Sequence, residues 1–135
     1  MATCALSMAT SFSHLFTRDE ANALLLTLNP LVEEMMRSRA RLLELQPALE
    51  PVLQKMIGNG GSRATGELLT VFERLRAALR AIEAAGVLVK DMQTGLVDFP
   101  SRRGDEIVFL CWRHGEPAVS HWHDLESGFG GRQAL

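Results

Sequence analysis

Three of the four histidines, both tryptophans and one of the two cysteines of this chain lie between Cys111 and His123. Thiolate and imidazole are ligands that suit zinc and iron. The spacing Cys111-x-x-His114 followed by His121-x-His123 superficially resembles a metal site. One continuous hairpin does not readily bring all four side chains together, so this four-ligand set is the less favoured arrangement.

A smaller set at the end of the same segment is a second candidate metal site. His121, His123 and Asp124 have the residue types to bind zinc or iron, with a partner chain completing the coordination. A metal-dependent enzyme would use these three ligands together with Glu116 as general base. The alternative to a metal site is a purely structural role. Cys111 would then be a small buried apolar side chain, and the strand histidines would be hydrogen-bonded inside the protein.

A polar recognition site is a third interpretation of this region. Its candidate ligand-binding residues are Trp112, Arg113, Glu116, His123, Asp124 and Arg132. Guanidinium groups bind carboxylates and phosphates, but they also form ion pairs with neighbouring acidic side chains. The glycine-rich segment 128–132 could offer backbone amides to a phosphate, although no helix follows it. The ligand would be a metal, a small anion or a protein partner.

Catalysis finds little support, and no catalytic residue is predicted. No serine lies in a nucleophile-elbow motif. The apolar run around Cys111 predicts a raised pKa and an unreactive thiol. We therefore expect a binding protein, with the metal-dependent enzyme as the alternative.

Composition restricts the class of protein and its partners. The chain has 135 residues, 47% of them hydrophobic and 22% charged, which fits one folded domain. A formal net charge of −2 argues against nucleic acid and anionic membranes as partners. No apolar stretch is long enough to span a bilayer, no secretory signal pattern is present, and two separate cysteines suit a reducing compartment. We expect a cytoplasmic protein that starts at Met1 or Met8.

The first half of the chain has a helical pattern that begins at a capping box. Thr17 and Glu20 have the types and spacing of that motif. Pro30 predicts a break, which gives helices over about 18–28 and 31–57. Apolar residues recur along this stretch at alternating spacings of four and three, interrupted at Arg39: Leu24, Leu28, Leu31, Met35, Leu42, Leu45, Leu49, Val52 and Met56.

A second helix is predicted over about 62–85, after a glycine-rich turn at 58–62 and before Gly86, which suits a left-handed helix end. Its apolar seam is Leu68, Phe72, Leu75, Leu79 and Ile82. Helices with matching seams and a short connection pack antiparallel, so we predict a coiled-coil-like hairpin over 16–86. Two helices leave part of the seam uncovered, which favours a homodimer through the hairpin. A coiled-coil structural scaffold is a further alternative.

From residue 87 the pattern changes to short β-prone segments. The segment at 87–89 is short and β-prone, and those at 96–99, 107–112 and 118–123 predict a three-stranded antiparallel meander. The meander belongs to a β module over 87–135 that ends in a C-terminal tail. The fold class is therefore α+β, with a disordered N-terminus over 1–15 and a single domain over 16–135.

The register of the last hairpin decides which side chains share a face. With a turn at 114–117, Leu110 pairs with His121 and Val108 pairs with His123. Both histidines then share a face with Trp112, and Cys111 lies on the opposite face. A turn longer or shorter by one residue reverses this relation.

Several segments resemble a bacterial and archaeal family known as domain of unknown function 2203. The segments are FTRDEANALL, VKDMQTGLVDFPSRR, LCWRHGEP and HWHDLESGFGGRQAL. The resemblance covers about 16–135 and implies no defined activity. Some members carry a loose label that relates them to cell-division initiation proteins. Shared heptad repeats explain that label, because coiled coils resemble one another without a common function. His114 and His121 depart from the family's motif, which counts against the four-ligand site. The positions that match it are Asp98, Phe99, Cys111, Trp112, Arg113, Gly115, Glu116, Trp122, His123, Asp124, Gly128, Phe129 and Arg132.

Overall fold

The computed structural model describes residues 12–57 and 66–135, which form helices followed by an antiparallel sheet. Helix α1 spans Arg18–Leu45, a 3-10 turn covers Pro47–Leu49, helix α2 spans Glu50–Gln54 and helix α3 spans Gly66–Ala84. The predicted α+β class is confirmed. The predicted turn at 58–62 and residues 1–11 of the predicted disordered N-terminus lie outside the described residues.

Helix α1 begins at the predicted capping box. The Thr17 hydroxyl accepts a hydrogen bond from the backbone N–H of Glu20 at 3.1 Å, and the Glu20 carboxylate accepts one from the N–H of Thr17 at 2.8 Å. Two backbone donors that the helix itself cannot satisfy are thereby paired.

The predicted break at Pro30 is wrong, because α1 runs through this residue without interruption. A proline inside a helix costs about 3 kcal/mol, since it lacks an N–H and crowds the preceding turn. Leu28 and Val32, on either side of it, are fully buried. Burying each such side chain contributes about 1.5–3 kcal/mol, which outweighs the cost of the proline.

Helix α1 ends at Leu45 rather than near residue 57. Gln46 is its C-cap and donates its N–H to the carbonyl of Leu42 at 2.8 Å. Pro47 lies two residues after Leu45, and Pro51 lies four residues further on. Each proline can start a helical turn but not continue one. The chain therefore changes direction into the 3-10 turn and the short helix α2.

Helices α1 and α3 pack antiparallel along their apolar faces. Arg41, near the end of α1, lies 2.6 Å from Glu67 at the start of α3, which fixes the relative direction of the helices. The buried residues are Ala21, Leu28, Val32, Met35, Ser38 and Leu42 in α1 and Val71, Phe72, Leu75, Ala78, Leu79 and Ile82 in α3. These seam residues are covered within one chain.

The sheet has five antiparallel strands whose spatial order is the order of the chain. They are β1 (Leu88–Asp91), β2 (Leu96–Arg103), β3 (Glu106–Arg113), β4 (His121–His123) and β5 (Gln133–Ala134). The prediction of three strands is therefore too low. Two strands were left out of the prediction. They are β5, whose two residues are too few to show an alternating pattern, and β1, which overlaps the short β-prone segment 87–89.

The predicted register of the β3–β4 hairpin is wrong by one residue. Cys111 pairs with His121, and Phe109 pairs with His123. The turn closes with a hydrogen bond from the N–H of Glu116 to the carbonyl of Arg113 at 3.0 Å, and Gly115 has a φ of +101°, which favours glycine. As a result, both strand histidines share a face with Cys111 instead of lying opposite it.

The two faces of the sheet differ in what covers them. The face that packs on the helices, here called the helix face, carries Val97, Phe99, Leu110, Trp112 and Trp122. The opposite face, here called the polar face, carries Asp98, Cys111, His121 and His123. Within residues 12–57 and 66–135, no helix combines the length and apolar character needed to cross a bilayer.

Candidate functional site

The polar face brings Asp98, Cys111 and His123 together at the centre of the sheet. Asp98 on β2 lies directly opposite Cys111 on β3, and His123 lies on the next strand, β4. One ligand atom from each residue lies within 4.8 Å of the other two. The exposed fractions of these residues are 1%, 0% and 3%, so the cluster is closed to solvent.

The hydrogen bonds of His123 define the state of its ring. Nδ1 lies 2.7 Å from the backbone carbonyl oxygen of Asp124, which can only accept, so Nδ1 carries a hydrogen. Nε2 faces Asp98 Oδ1 at 3.1 Å. Without a bound cation, one proton must lie between these two atoms, on the imidazole or on the carboxyl. With a bound metal, Nε2 would be the ligand, and the Nδ1–H bond to a carbonyl is the support typical of metal-binding histidines.

Burial dominates the electrostatics of the other two groups. It raises the pKa of Asp98, against the opposing effect of the hydrogen bond with His123. Burial, followed by the charge of Asp98, raises the pKa of the Cys111 thiol to about 12. The thiol is therefore protonated near neutral pH and is no nucleophile, as its apolar surroundings in the sequence predicted. A metal ion reverses this preference, because a coordinated thiol loses its proton.

The geometry of the cluster fits a tetrahedral metal ion after a small adjustment. Zinc bonds of about 2.0–2.3 Å place tetrahedral ligand atoms roughly 3.4–3.6 Å apart. The 3.1 Å between Asp98 Oδ1 and His123 Nε2 is close to this value. The ligand atoms of the three residues lie within 4.8 Å of one another, so the widest possible separation would have to shorten by about 1 Å. A thiol, an imidazole and a carboxylate are all zinc ligands.

The model of the family described as Uncharacterized conserved protein (DUF2203) matches residues 14–135, nearly the whole chain. The chain belongs to this family. No curated protein matches it, and no solved structure matches it. The resemblance based on the sequence motifs is confirmed, and the three cluster residues lie inside the matched range. The function of this DUF2203 protein therefore has to be argued from the site itself.

Four of the predicted ligand-binding residues lie together beside the cluster. The Glu116 carboxylate accepts two hydrogen bonds from the Arg132 guanidinium, at 3.0 and 2.9 Å, and one from the N–H of Arg113 at 2.7 Å. The Trp112 indole donates to the Glu116 carbonyl at 3.0 Å. Both arginine side chains lie over the Phe129 ring. These groups bond to one another, and a ligand role for them stays a prediction.

The other predicted metal ligands point elsewhere. Asp124 Oδ1 accepts the backbone N–H groups of Glu126 and Ser127 at 3.0 and 2.7 Å, and the bond from Ser127 is the main reason why its pKa is lowered. His121 Nδ1 lies 3.0 Å from the Ser120 hydroxyl. The cluster of metal-ligand types found among the described residues contains neither His121 nor Asp124.

His114 lies apart from the other three members of the four-residue set. Its Nε2 is 3.5 Å from the carboxylate of Glu33 on α1. The Trp112 ring lies against the His114 ring, with 6.2 Å between centroids. The Cys111, His114, His121 and His123 side chains are therefore not brought to one point.

Asp98 is the member of the cluster that was not predicted as a candidate ligand. Two signals pointed to it: a charged residue inside the apolar segment Leu96–Phe99, and its place in the family's motif. Neither signal names its partner, because His123 lies 25 residues further along the chain.

Proposed function

We propose that this DUF2203 protein is a metal-binding protein whose β module holds one zinc ion through Asp98, Cys111 and His123. The observation that carries the proposal is the meeting of a thiol, an imidazole and a carboxylate within 4.8 Å in a solvent-excluded place. This mixed sulfur, nitrogen and oxygen set suits zinc, with ferrous iron as the competing ion.

The energetic cost of the cluster supports a ligand. Burying ionisable groups is unfavourable unless they are paired, and apolar residues of similar size would fill the same space at lower cost. Asp98 and His123 pair with each other at 3.1 Å, which accounts for two of the three groups. The Cys111 thiol adds a hydrogen bond to Asp98, but a thiol is a weak donor and the pair does not need it. A metal ion uses all three groups at once.

Burial favours a binding or stabilising role over catalysis. Three protein ligands leave a fourth coordination position, as in catalytic zinc sites. Here all three ligands are at most 3% exposed, so a substrate has no direct approach to that position. The predicted cytoplasmic, reducing location agrees with a thiol ligand, since Cys111 would stay reduced there.

Metal titration of the purified chain tests the proposal. We expect one equivalent of zinc or cobalt(II) per chain, and cobalt should produce the absorption band of a thiolate-to-metal charge transfer. Cys111→Ser and His123→Ala should abolish both signals. Cys4→Ser, which removes the other cysteine, and His121→Ala, on the same strand and face, are the matched controls and should bind normally.

Stability provides a second readout. Zinc at about 100 times its Kd should raise the free energy of unfolding by about 2.7 kcal/mol, and a chelator should remove this gain. Absence of stoichiometric metal would overturn the proposal, as would binding that survives both Cys111→Ser and His123→Ala. Binding of iron but not zinc under anaerobic conditions would keep the site and change the ion.

Assembly is a separate part of the proposed function. The predicted homodimer assumed an uncovered helical seam, whereas Leu28, Met35 and Leu75 are fully buried within one chain. Leu26, 86% exposed, is a large apolar side chain that a partner could cover. If the hairpin forms a dimer through this surface, Leu26→Glu should convert it to a monomer in sedimentation velocity, whereas Arg37→Glu on the same helix should not.

A further inference from the structure

We infer that a cleft between the start of α1 and the helix face of the sheet binds a small carboxylate with an apolar body. The cleft is separate from the proposed zinc site, since it lies on the other face of the sheet. It encloses about 340 Å³, which lies at the lower end of the volumes of small-molecule sites. Its ligand is therefore small.

One side of the cleft is apolar. Its lining includes the apolar residues Leu15, Phe16, Val108, Leu110, Trp122 and Leu135. Contact with these groups would remove apolar surface of the ligand from water, at about 25 cal/mol for each Å². An inorganic anion has no such surface to bury, which is why we infer an organic one.

Positive charge surrounds the other side. Arg18, Arg102 and Arg103 all line the cleft. Among the described residues none of these guanidiniums forms an ion pair, and the chain has no Asp or Glu in 1–11 or 58–65. Asp19 and Glu20 in the first turn offset the partial positive charge at the start of α1, so the arginines carry the attraction for an anion. An anionic group is the complement of this arrangement, and a carboxylate matches the planar guanidinium.

Trp122 connects the apolar and charged sides. The Arg103 guanidinium lies over its ring, 4.3 Å from the centroid. Its indole nitrogen is buried, and it has no hydrogen-bond partner among the described residues. Buried tryptophan N–H groups usually find an acceptor, and leaving one unpaired costs about 1–3 kcal/mol. A small shift of the ring that turns this N–H toward the cleft would let a carboxylate oxygen there supply the missing acceptor.

Calorimetric titration with sodium hexanoate tests this inference. 1-Hexanol, which keeps the apolar body without the charge, and inorganic phosphate, which keeps a charge without the body, are the comparison probes. We expect one hexanoate per chain, with hexanol and phosphate each binding at least about tenfold more weakly.

Variants locate the site. Arg102→Gln and Arg103→Gln, both exposed, should each weaken hexanoate binding about tenfold, and Trp122→Phe should weaken it while keeping the ring. Arg37→Gln, an exposed arginine elsewhere on α1, is the control and should bind as the parent does. The inference is overturned if hexanoate does not bind at millimolar concentration or if hexanol or phosphate binds equally well. It is also overturned if the Arg102 and Arg103 variants behave like Arg37→Gln.

Discussion

The helix face and the polar face of the sheet are built from alternate residues of the same strands, and both contain fully buried side chains. On the helix face Phe99 is 0% exposed, and on the polar face Cys111 is 0% exposed. The first face packs apolar groups against helices, whereas the second encloses groups that can bind a metal or hold a proton. Burial alone therefore does not separate a core from a site. The comparison predicts that mutations on the two faces differ in size and in kind.

The largest effect is expected on the helix face. Phe99→Ala should lower the free energy of unfolding by about 3–5 kcal/mol, because it leaves a cavity where Phe99 packs edge-on against Phe16 at 5.3 Å. Urea denaturation measures this change. Leu125→Ala, at an exposed position, is the control and should change stability by no more than about 0.5 kcal/mol. A loss below 1 kcal/mol for Phe99→Ala would contradict the assignment of this face as the core.

On the polar face the effect should depend on which partner of the buried pair is removed. His123→Ala should cost about 1–3 kcal/mol in metal-free protein, because it leaves the Asp98 carboxyl buried without its partner. Asp98→Asn should cost less, since the amide can still donate to the lone pair of Nε2. The same urea experiment in the presence of a chelator compares the two variants. The reverse order of costs would show that the pair is not held by this hydrogen bond.

The Cys111 thiol should make stability depend on pH in the alkaline range. Its pKa is about 12 in the folded chain and about 8.5 when unfolded, so the folded state binds more protons between these values. Its contribution is complete below pH 8.5 and is lost as the pH rises. The loss should approach about 1.4 kcal/mol per pH unit above 8.5. The chain has no tyrosine to titrate alongside it.

Unfolding measured from pH 8 to 10 tests this dependence. Cys111→Ala should flatten the curve relative to the parent chain, and Cys4→Ser is the matched control for the other thiol. An unchanged slope in Cys111→Ala would mean that the buried thiol is not the source.

The smallest effect is expected at the rim of the polar face. Lys90 Nζ lies 5.4 Å from the centre of the Phe109 ring, an arrangement worth about 0.5–1 kcal/mol where it is exposed to solvent. Lys90→Met, which keeps the apolar stem, should lower stability by about 0.5 kcal/mol. Thermal unfolding at low and high salt measures it, and the difference should shrink as salt screens the charge.

The comparison also shows which features a sequence can predict. The capping box at Thr17 and the burial of Cys111 depend on neighbouring residues, so they were predicted correctly. The pairing of Cys111 with His121 depends on the exact length of the turn between β3 and β4. The predicted register was wrong by one residue because the sequence does not determine that length. Asp98 was not predicted as a candidate ligand, because its partner His123 comes from a different strand.

The continuity of α1 through Pro30 was missed for the opposite reason. A local rule predicted a break there, and burial of the residues on both sides overrode it. Rules based on neighbouring residues thus predict helix boundaries correctly where long-range packing is weak. They fail where the flanking side chains are buried in the core.

The order of the strands has a consequence for how the protein folds. Because spatial order follows chain order, the sheet can grow by one hairpin after another, and each step closes a short loop. Asp98, Cys111 and His123 lie on three successive strands, so their cluster is complete only after β4 has joined β2 and β3. A metal would therefore bind there only after the sheet is complete and would not help its nucleation. It should slow unfolding more than it speeds folding.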